Sequence, residues 1–420
     1  MMFEQIVARD NLQRAWQRVK ANKGAAGIDN VSVTDFPSWS QQHWPLIKQQ
    51  LSDGDYQPQA VRRVWIPKAN GDKRPLGIPT VADRIIQQAI AQQLNPWFER
   101  EFSNNSYGFR PNRSAHQAVK QVRDYIRAKR RVVVDIDLAA FFDSVNHDVL
   151  MRLIALRIKD KRVLQLIGKY LRAGVNENGQ QSNTTQGVPQ GGPLSPLLAN
   201  IVLHELDIYL HQCGHTFARY ADDFVICVKS KRAAVRVKEH VTRFLEHKLK
   251  LHINVNKSRI CTSNELEFLG FCFRKTKIVW SDKALQQFKH RVRQLTGRSW
   301  GVSLAYRYRE LRLYMVGWLN YFGLSEYYRP IPELDEWLRR RMRCVYWKMW
   351  RWPRTKIKHL ISLGVSERQA IKTGCSSKGP YAMSRTPITQ MAMSNKWLAA
   401  QGLVSIKDHW VRFHYPVSTA

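Results

Sequence analysis

Two apolar runs near the middle of the chain set its pattern. Val132-Val133-Val134-Asp135-Ile136 is short and rich in β-branched residues, which predicts a buried strand. Phe224-Val225-Ile226-Cys227-Val228 reads the same way, and Thr216-Phe217-Ala218-Arg219 precedes it. Between these last two lies Tyr220-Ala221-Asp222-Asp223, so the spacing predicts a hairpin with two carboxylates at its tip. Asp135, Asp137 and Asp143 stand in and just after the first run. Carboxylates are poor strand-core residues and cannot be buried unpaired. Residues 1 to about 40 read as a helix followed by the turn Lys23-Gly24-Ala25-Ala26-Gly27. Another hairpin is predicted to turn at Ala69-Asn70-Gly71-Asp72, where Asn-Gly is the signal. From about residue 281 the period becomes helical. Trp337-Leu338-Arg339-Arg340-Arg341-Met342-Arg343-Cys344-Val345-Tyr346-Trp347 alternates apolar and basic positions near helical spacing. The pattern weakens after Thr373-Gly374-Cys375-Ser376-Ser377-Lys378-Gly379-Pro380.

Composition turns this pattern toward a polyanionic partner. The chain has 420 residues and 44% hydrophobic content, enough for two or three domains with cores. Its 67 Lys+Arg against 33 Asp+Glu give a formal net charge of +34. That charge is interleaved with Trp, Tyr and Leu rather than gathered in a tail, as in a folded nucleic-acid channel. Residues 281–380 alone hold 21 Lys+Arg and 7 Asp+Glu. The six cysteines, at 213, 227, 261, 272, 344 and 375, form no Cys-x-x-Cys pair. A zinc site is therefore not expected, and the pattern suits a reducing cytoplasm. The N-terminus lacks a signal-peptide layout, no apolar run is long enough to span a membrane, and no internal repeat stands out.

Acidic turns are common, and most are solvated loop tips; acids that close a strand can also cap the next segment. Two separate strand ends that each deliver acid favour a different reading. A two-metal site needs carboxylates from different elements, and Mg²⁺ takes oxygen ligands.

Several blocks then fall in a recognisable order. They are Ile66-Pro67-Lys68, Arg74-Pro75-Leu76-Gly77-Ile78-Pro79-Thr80, Asp83-Arg84 and Phe109-Arg110-Pro111. After the aspartate strand come Val188-Pro189-Gln190-Gly191-Gly192-Pro193-Leu194-Ser195-Pro196-Leu197-Leu198-Ala199-Asn200, the Tyr220–Asp223 turn and Phe268-Leu269-Gly270-Phe271. With these blocks the chain resembles the bacterial group II intron-encoded reverse transcriptases, also called maturases, and in length the compact class without an endonuclease. The resemblance implies an α+β right-hand polymerase fold. Residues 1–40 would be an N-terminal extension, 41–130 fingers and 131–280 a palm of antiparallel sheet backed by helices. Residues 281–372 would be a helical thumb and maturase region, and 373–420 a small C-terminal nucleic-acid-binding region.

The resemblance also implies roles. The first metal-binding acid lies five residues before an aromatic steric gate, so Phe142 points to Asp137, with Asp135 as its rival and Asp143 facing elsewhere. Asp137, Asp222 and Asp223 would hold two Mg²⁺, for which Mn²⁺ can substitute, with the backbone carbonyl of Leu138 as a further ligand. Lys68 and Arg74 would clamp the triphosphate, with Gln190, Phe142 and Arg110 also at the nucleotide. Arg63 would touch the template, Phe268, Leu269 and Gly270 would form the primer grip, and Lys257 would support the active site. Arg339, Arg340 and Arg341 would meet nucleic-acid phosphates. The implied function is RNA-directed DNA polymerisation from an RNA template and DNA primer with dNTPs. Binding and splicing of intron RNA and retrohoming into target DNA would accompany it, in the bacterial cytoplasm at the nucleoid, with no membrane partner. Two other readings stand beside it: a splicing-only maturase, and a host-recruited relative serving DNA repair or defence.

Overall fold

The computed structural model describes residues 2–67, 71 and 73–416. Its strands in chain order are β1 (Val61–Pro67), β2 (Lys73–Ile78), β3 (Val132–Ile136), β4 (Val175–Glu177), β5 (Gln180–Ser182), β6 (Thr216–Tyr220), β7 (Asp223–Val228), β8 (Arg259–Thr262), β9 (Glu267–Phe268), β10 (Phe271–Arg274) and β11 (Lys277–Trp280). They form three sheets, ordered β2-β1-β4-β5, β6-β7-β3-β8 and β11-β10-β9. The chain divides into two compact units, Met1–Ser263 and Asn264–Ala420. The fold is α+β, and the expected palm range of 131–280 straddles that division.

In the first unit, β3 sits between β7 and β8, antiparallel to both. Val133 and Val134 have no solvent exposure although they point to opposite faces, as a doubly covered central strand requires. Helices Ala115–Arg127, Ser195–Gln212 and Lys231–Lys248 pack on this sheet. Ala115–Arg127 opens with a capping box from Ser114 and Gln117 and buries Ala118, Val119, Val122 and Ile126. Each such valine or isoleucine contributes about 1.5–3 kcal/mol. The β1–β2 hairpin pairs Arg62 with Ile78 through Pro67 with Lys73. Its predicted turn lies outside the described residues except for Gly71, and so does Lys68. Thr80 then caps the helix Val81–Glu99, its Oγ1 accepting from Asp83 N.

The second unit carries β9–β11 and helices that begin with Asp282–Leu295. Leu269 and Gly270, at φ +53° and +78°, make the two-residue turn between β9 and β10. Two positive φ values in succession suit a tight hairpin. Phe268 is buried, and Tyr321 Oη donates to Leu269 O at 3.0 Å.

The arginines at 339–341, expected at nucleic-acid phosphates, also have partners within the protein. They lie on the helix Pro330–Met349, which packs on several sides. Arg339 Nη2 is 3.0 Å from Asp335, and Arg341 Nε donates to Thr296 Oγ1 at 2.5 Å. The Arg340 guanidinium carbon lies 3.4 Å from the Tyr381 ring centroid. These guanidiniums hold the unit together. Among the described residues, no helix is long and apolar enough to cross a membrane.

Candidate active site

The β6–β7 connection is a two-residue loop, Ala221-Asp222, closed by the pair Tyr220–Asp223. Ala221 takes φ +57°, a cost for a residue with a Cβ that surrounding contacts must offset. The strand register places the remaining acids. Asp135 pairs with Val225 and Ile136 with Phe224. Continued by one residue, this register sets Asp137 opposite Asp223. Asp135, Asp137 and Asp223 therefore share one face of the sheet, since side chains alternate along a strand. Asp222 stands in the adjoining turn.

The two β3-side acids have different neighbours. Asp135 pairs directly with Arg259, with Arg259 Nε 3.6 Å from Asp135 Oδ2. Asp137 has Lys257 Nζ at 3.8 Å from its Oδ2, and its backbone is bracketed by Ser258. Asp137 N donates to Ser258 Oγ at 3.0 Å, and Asp137 O accepts from Asn254 N at 2.8 Å. Leu138 makes an isolated antiparallel bridge with Ile253.

Repulsion marks this end of the sheet. Asp223 is exposed by surface area, yet its carboxyl is pushed up to about 6, first by desolvation in the concave surroundings. Repulsion from Asp222, Asp137 and Asp135 adds to the rise. Asp222 is raised too, by burial first and with Asp137 adding to it, while Arg74 opposes the rise. Burial also raises Asp135, against the pull of Arg259. Like charges facing each other across strands are destabilising unless a cation joins them. Among the described residues, no three His, Cys, Asp or Glu side chains already converge at metal-ligand spacing. The donors nevertheless fit a hard divalent cation in kind and in charge.

A cavity of about 580 Å³ in the same unit is lined by Phe142, Arg74, Gln190, Gly191, Phe109 and Arg84, among others. Arg74 Nε donates to Gln190 Oε1 at 2.7 Å. The loop at 190–192 presses against β2: Gly77 N donates to Gln190 O at 2.6 Å. Gly191 has φ +124°, and a Cβ there would come within 2.4 Å of Gly77 O, so the close approach requires glycine. Phe142 is buried, edge-on to Phe141. Asp143 is raised by burial, opposed by Arg63 and Arg74. Arg63 lies 5.9 Å from the Trp65 ring on β1.

Arg110, expected at the nucleotide, is committed elsewhere. Its side chain is 3% exposed, its Nη2 is 2.7 Å from Glu99 Oε1, and its Nη1 donates to Ser103 O and Ser106 O at 2.5 and 2.7 Å. A guanidinium with these partners braces the segment before Gly108.

Phe109 and Arg84 stand out in the sequence only as parts of larger blocks. Phe109, at φ +58° and exposed, lines the cavity with its ring centroid 6.4 Å from that of Tyr220. Arg84 is buried, donates through Nη2 to Ala25 O at 2.8 Å, and has no partner for Nε.

The reverse transcriptase (RNA-dependent DNA polymerase) family model matches residues 66–273, and the group II intron maturase-specific domain matches residues 285–362. Protein YkfC of Escherichia coli is 36% identical over 299 residues, covering 62% of this chain and 77% of YkfC. The group II intron-encoded protein LtrA of Lactococcus lactis is 35% identical over 341 residues, covering 65% of this chain and 56% of LtrA. The chain thus spans little more than half the length of LtrA. A telomerase structure from Candida albicans is 12% identical, covering 83% of this chain and 69% of that one, with a TM-score of 0.45. The chain belongs to the reverse transcriptase family, with the maturase-specific domain of its group II intron members following the polymerase region.

Proposed function

We propose that this chain copies RNA into DNA at the end of β3 and the β6–β7 turn, and that it binds and helps splice a group II intron RNA. The observation that carries the polymerase reading is the register that sets Asp137 opposite Asp223, beside Asp222, at one sheet end. Their mutual repulsion is the condition a pair of bound Mg²⁺ ions would relieve. Bound metal supplies charge neutralisation and an acidified primer 3′-hydroxyl for in-line displacement.

This chain's own residues then divide the work. Asp137, Asp222 and Asp223 present the carboxylate oxygens, with the Leu138 carbonyl beside them. Asp135, already paired with Arg259, orients that strand end. Lys257 lies close enough to Asp137 to limit its motion without replacing a metal. Arg74 offers its fork to a triphosphate, with Gln190 fixing its plane. Phe142 forms the floor under the sugar, where a 2′-hydroxyl would collide. The template lies along the exposed Trp65 side of β1, which Arg63 shares, and the primer grip is the β9–β10 turn. Intron RNA and target DNA are met by the basic second unit.

The test is extension of a DNA primer on an RNA template by wild type and Asp222→Asn. Wild type is expected to extend and Asp222→Asn to stop, with RNA binding retained. Extension by both proteins at the same rate would remove the site from the reaction. For the maturase role, splicing of the intron RNA flanking the gene should accelerate when the protein is added; an unchanged splicing rate would count against it.

A further inference from the structure

The turn that carries Asp222 is held from below by side chains with no assigned role. Arg219 ends its side chain in the core: both it and Asp207, from the helix Ser195–Gln212, have no solvent exposure. Arg219 Nε donates to Asp207 Oδ1 at 2.8 Å, and Nη2 to Asp207 Oδ2 at 2.5 Å. Its remaining terminal nitrogen, Nη1, donates to Asn200 Oδ1 at 2.9 Å and to Ala221 O at 3.0 Å. Asn200 then passes the restraint on, its Nδ2 donating to Gly108 O at 2.9 Å. The backbone of Gly108 lies directly against the turn, where a Cβ would come within 2.3 Å of Ala221 N. Arg219 is also fixed through its backbone, with its N donating to Asn105 O and its O accepting from Tyr107 N.

The Ala221 carbonyl belongs to the peptide that leads into Asp222. Fixing that oxygen fixes the peptide plane, and with it the direction from which the Asp222 carboxylate leaves the backbone. Ala221 itself takes a positive φ, so the carbonyl is presented from an uncommon backbone conformation. A fork-to-fork ion pair is stiff and planar, so it transmits the position of the helix to the turn. A fully buried charge pair is weak evidence for stability as such. Here the geometry assigns it a positional task, because a bond left over from the ion pair goes to the catalytic loop.

We propose that Arg219, Asp207 and Asn200 form a positioning clamp that sets the metal-binding direction of Asp222. These are positioning residues: none touches substrate, and all act through the Ala221 carbonyl or Gly108. The inference rests on the polymerase reading of the site.

Arg219→Lys tests it. Lysine keeps the charge facing Asp207 but is a single point donor and cannot serve Asp207, Asn200 and Ala221 O together. Partners that orient metal ligands typically govern affinity or activity by about 10–100-fold. The variant should therefore incorporate dNTP about 10–100-fold more slowly at saturating dNTP, with KM for dNTP within about twofold of wild type. It should also bind Mn²⁺ more weakly, read from the free-Mn²⁺ EPR signal in the absence of nucleotide and turnover. A merely structural role would lower the melting temperature and leave kcat and Mn²⁺ affinity of the folded protein unchanged; that result overturns the clamp. Asn200→Ala, which removes no charge, should show the same loss in smaller measure and decides the matter if Arg219→Lys fails to fold. Absence of extension by wild type would instead overturn the polymerase reading, whereas wild-type extension matched by both variants would overturn only the clamp.

Discussion

Gly108→Ala is the smallest change that should disturb the chemistry without touching a carboxylate. The new Cβ would lie 2.3 Å from Ala221 N and 2.9 Å from the carbonyl carbon of Tyr220, where ordinary contact begins near 3.4 Å. Both obstacles are backbone, so no side-chain rotation relieves the overlap. Restoring contact demands a separation of about 1 Å between the Gly108 segment and the turn. A misplacement of about 1 Å in a catalytic constellation can cost about 100-fold in rate. That factor corresponds to about 2.7 kcal/mol of barrier. The assay is single-turnover incorporation of one nucleotide on an RNA template, with saturating dNTP. The melting temperature is recorded alongside. Gly317→Ala serves as the control, since it sits in the helix Leu304–Phe322 with nothing within 4 Å of the added carbon. It should keep the wild-type rate and gain up to about 1 kcal/mol of helix stability. A folded Gly108→Ala protein with a wild-type rate would refute the claim that the turn's position limits the reaction.

Phe142→Ala should admit ribonucleotides, because Phe142 lines the cavity with Arg74 and Gln190 and a bulky ring under the sugar would exclude a second hydroxyl; unchanged dNTP-over-rNTP discrimination would discharge Phe142 as the gate. Metal binding should weaken as pH falls. Asp223 is raised to about 6, so below that value a proton must be displaced before the carboxylate can ligate. Half-saturating Mn²⁺ should therefore rise as pH drops from about 7 to about 5, and Asp223→Asn should flatten the dependence. Replacing Arg339, Arg340 and Arg341 together with Gln should lower stability by about 2 kcal/mol, since part-buried charged hydrogen bonds are lost. The salt slope of RNA binding should stay as in wild type, because these groups face protein; a flatter slope with unchanged stability would return them to the nucleic-acid surface.

The strand ends were legible because they break a local rule. Val132–Ile136 is apolar enough to demand burial, so acids within and after it signal function. The register could be read only from the structure, and it is what separates Asp137, facing Asp223, from Asp135, paired with Arg259. Helical spacing from about residue 281 matches the helices that begin with Asp282–Leu295, but spacing does not say which face is covered. Arg339–Arg341 read as a basic stripe and are packed against Asp335, Tyr381 and Thr296. Arg110 is likewise bound to Glu99, Ser103 and Ser106, which come from a helix end and loop that no periodicity reveals. The Arg219–Asp207 pair was illegible in a different way. Two charges 12 residues apart, one in a strand and one in a helix, look like surface residues until both are found in the core.

We propose that carboxylates from two strand ends act as one metal site. It is tested most directly by single-nucleotide incorporation on an RNA template–DNA primer duplex, comparing Asp137→Asn with Asp135→Asn. Both proteins must first be shown to bind the duplex as wild type does. Asp137→Asn should abolish incorporation, while Asp135→Asn should retain most of it because that carboxylate already serves Arg259. A near wild-type rate for Asp137→Asn, with the loss falling on Asp135→Asn, would contradict it.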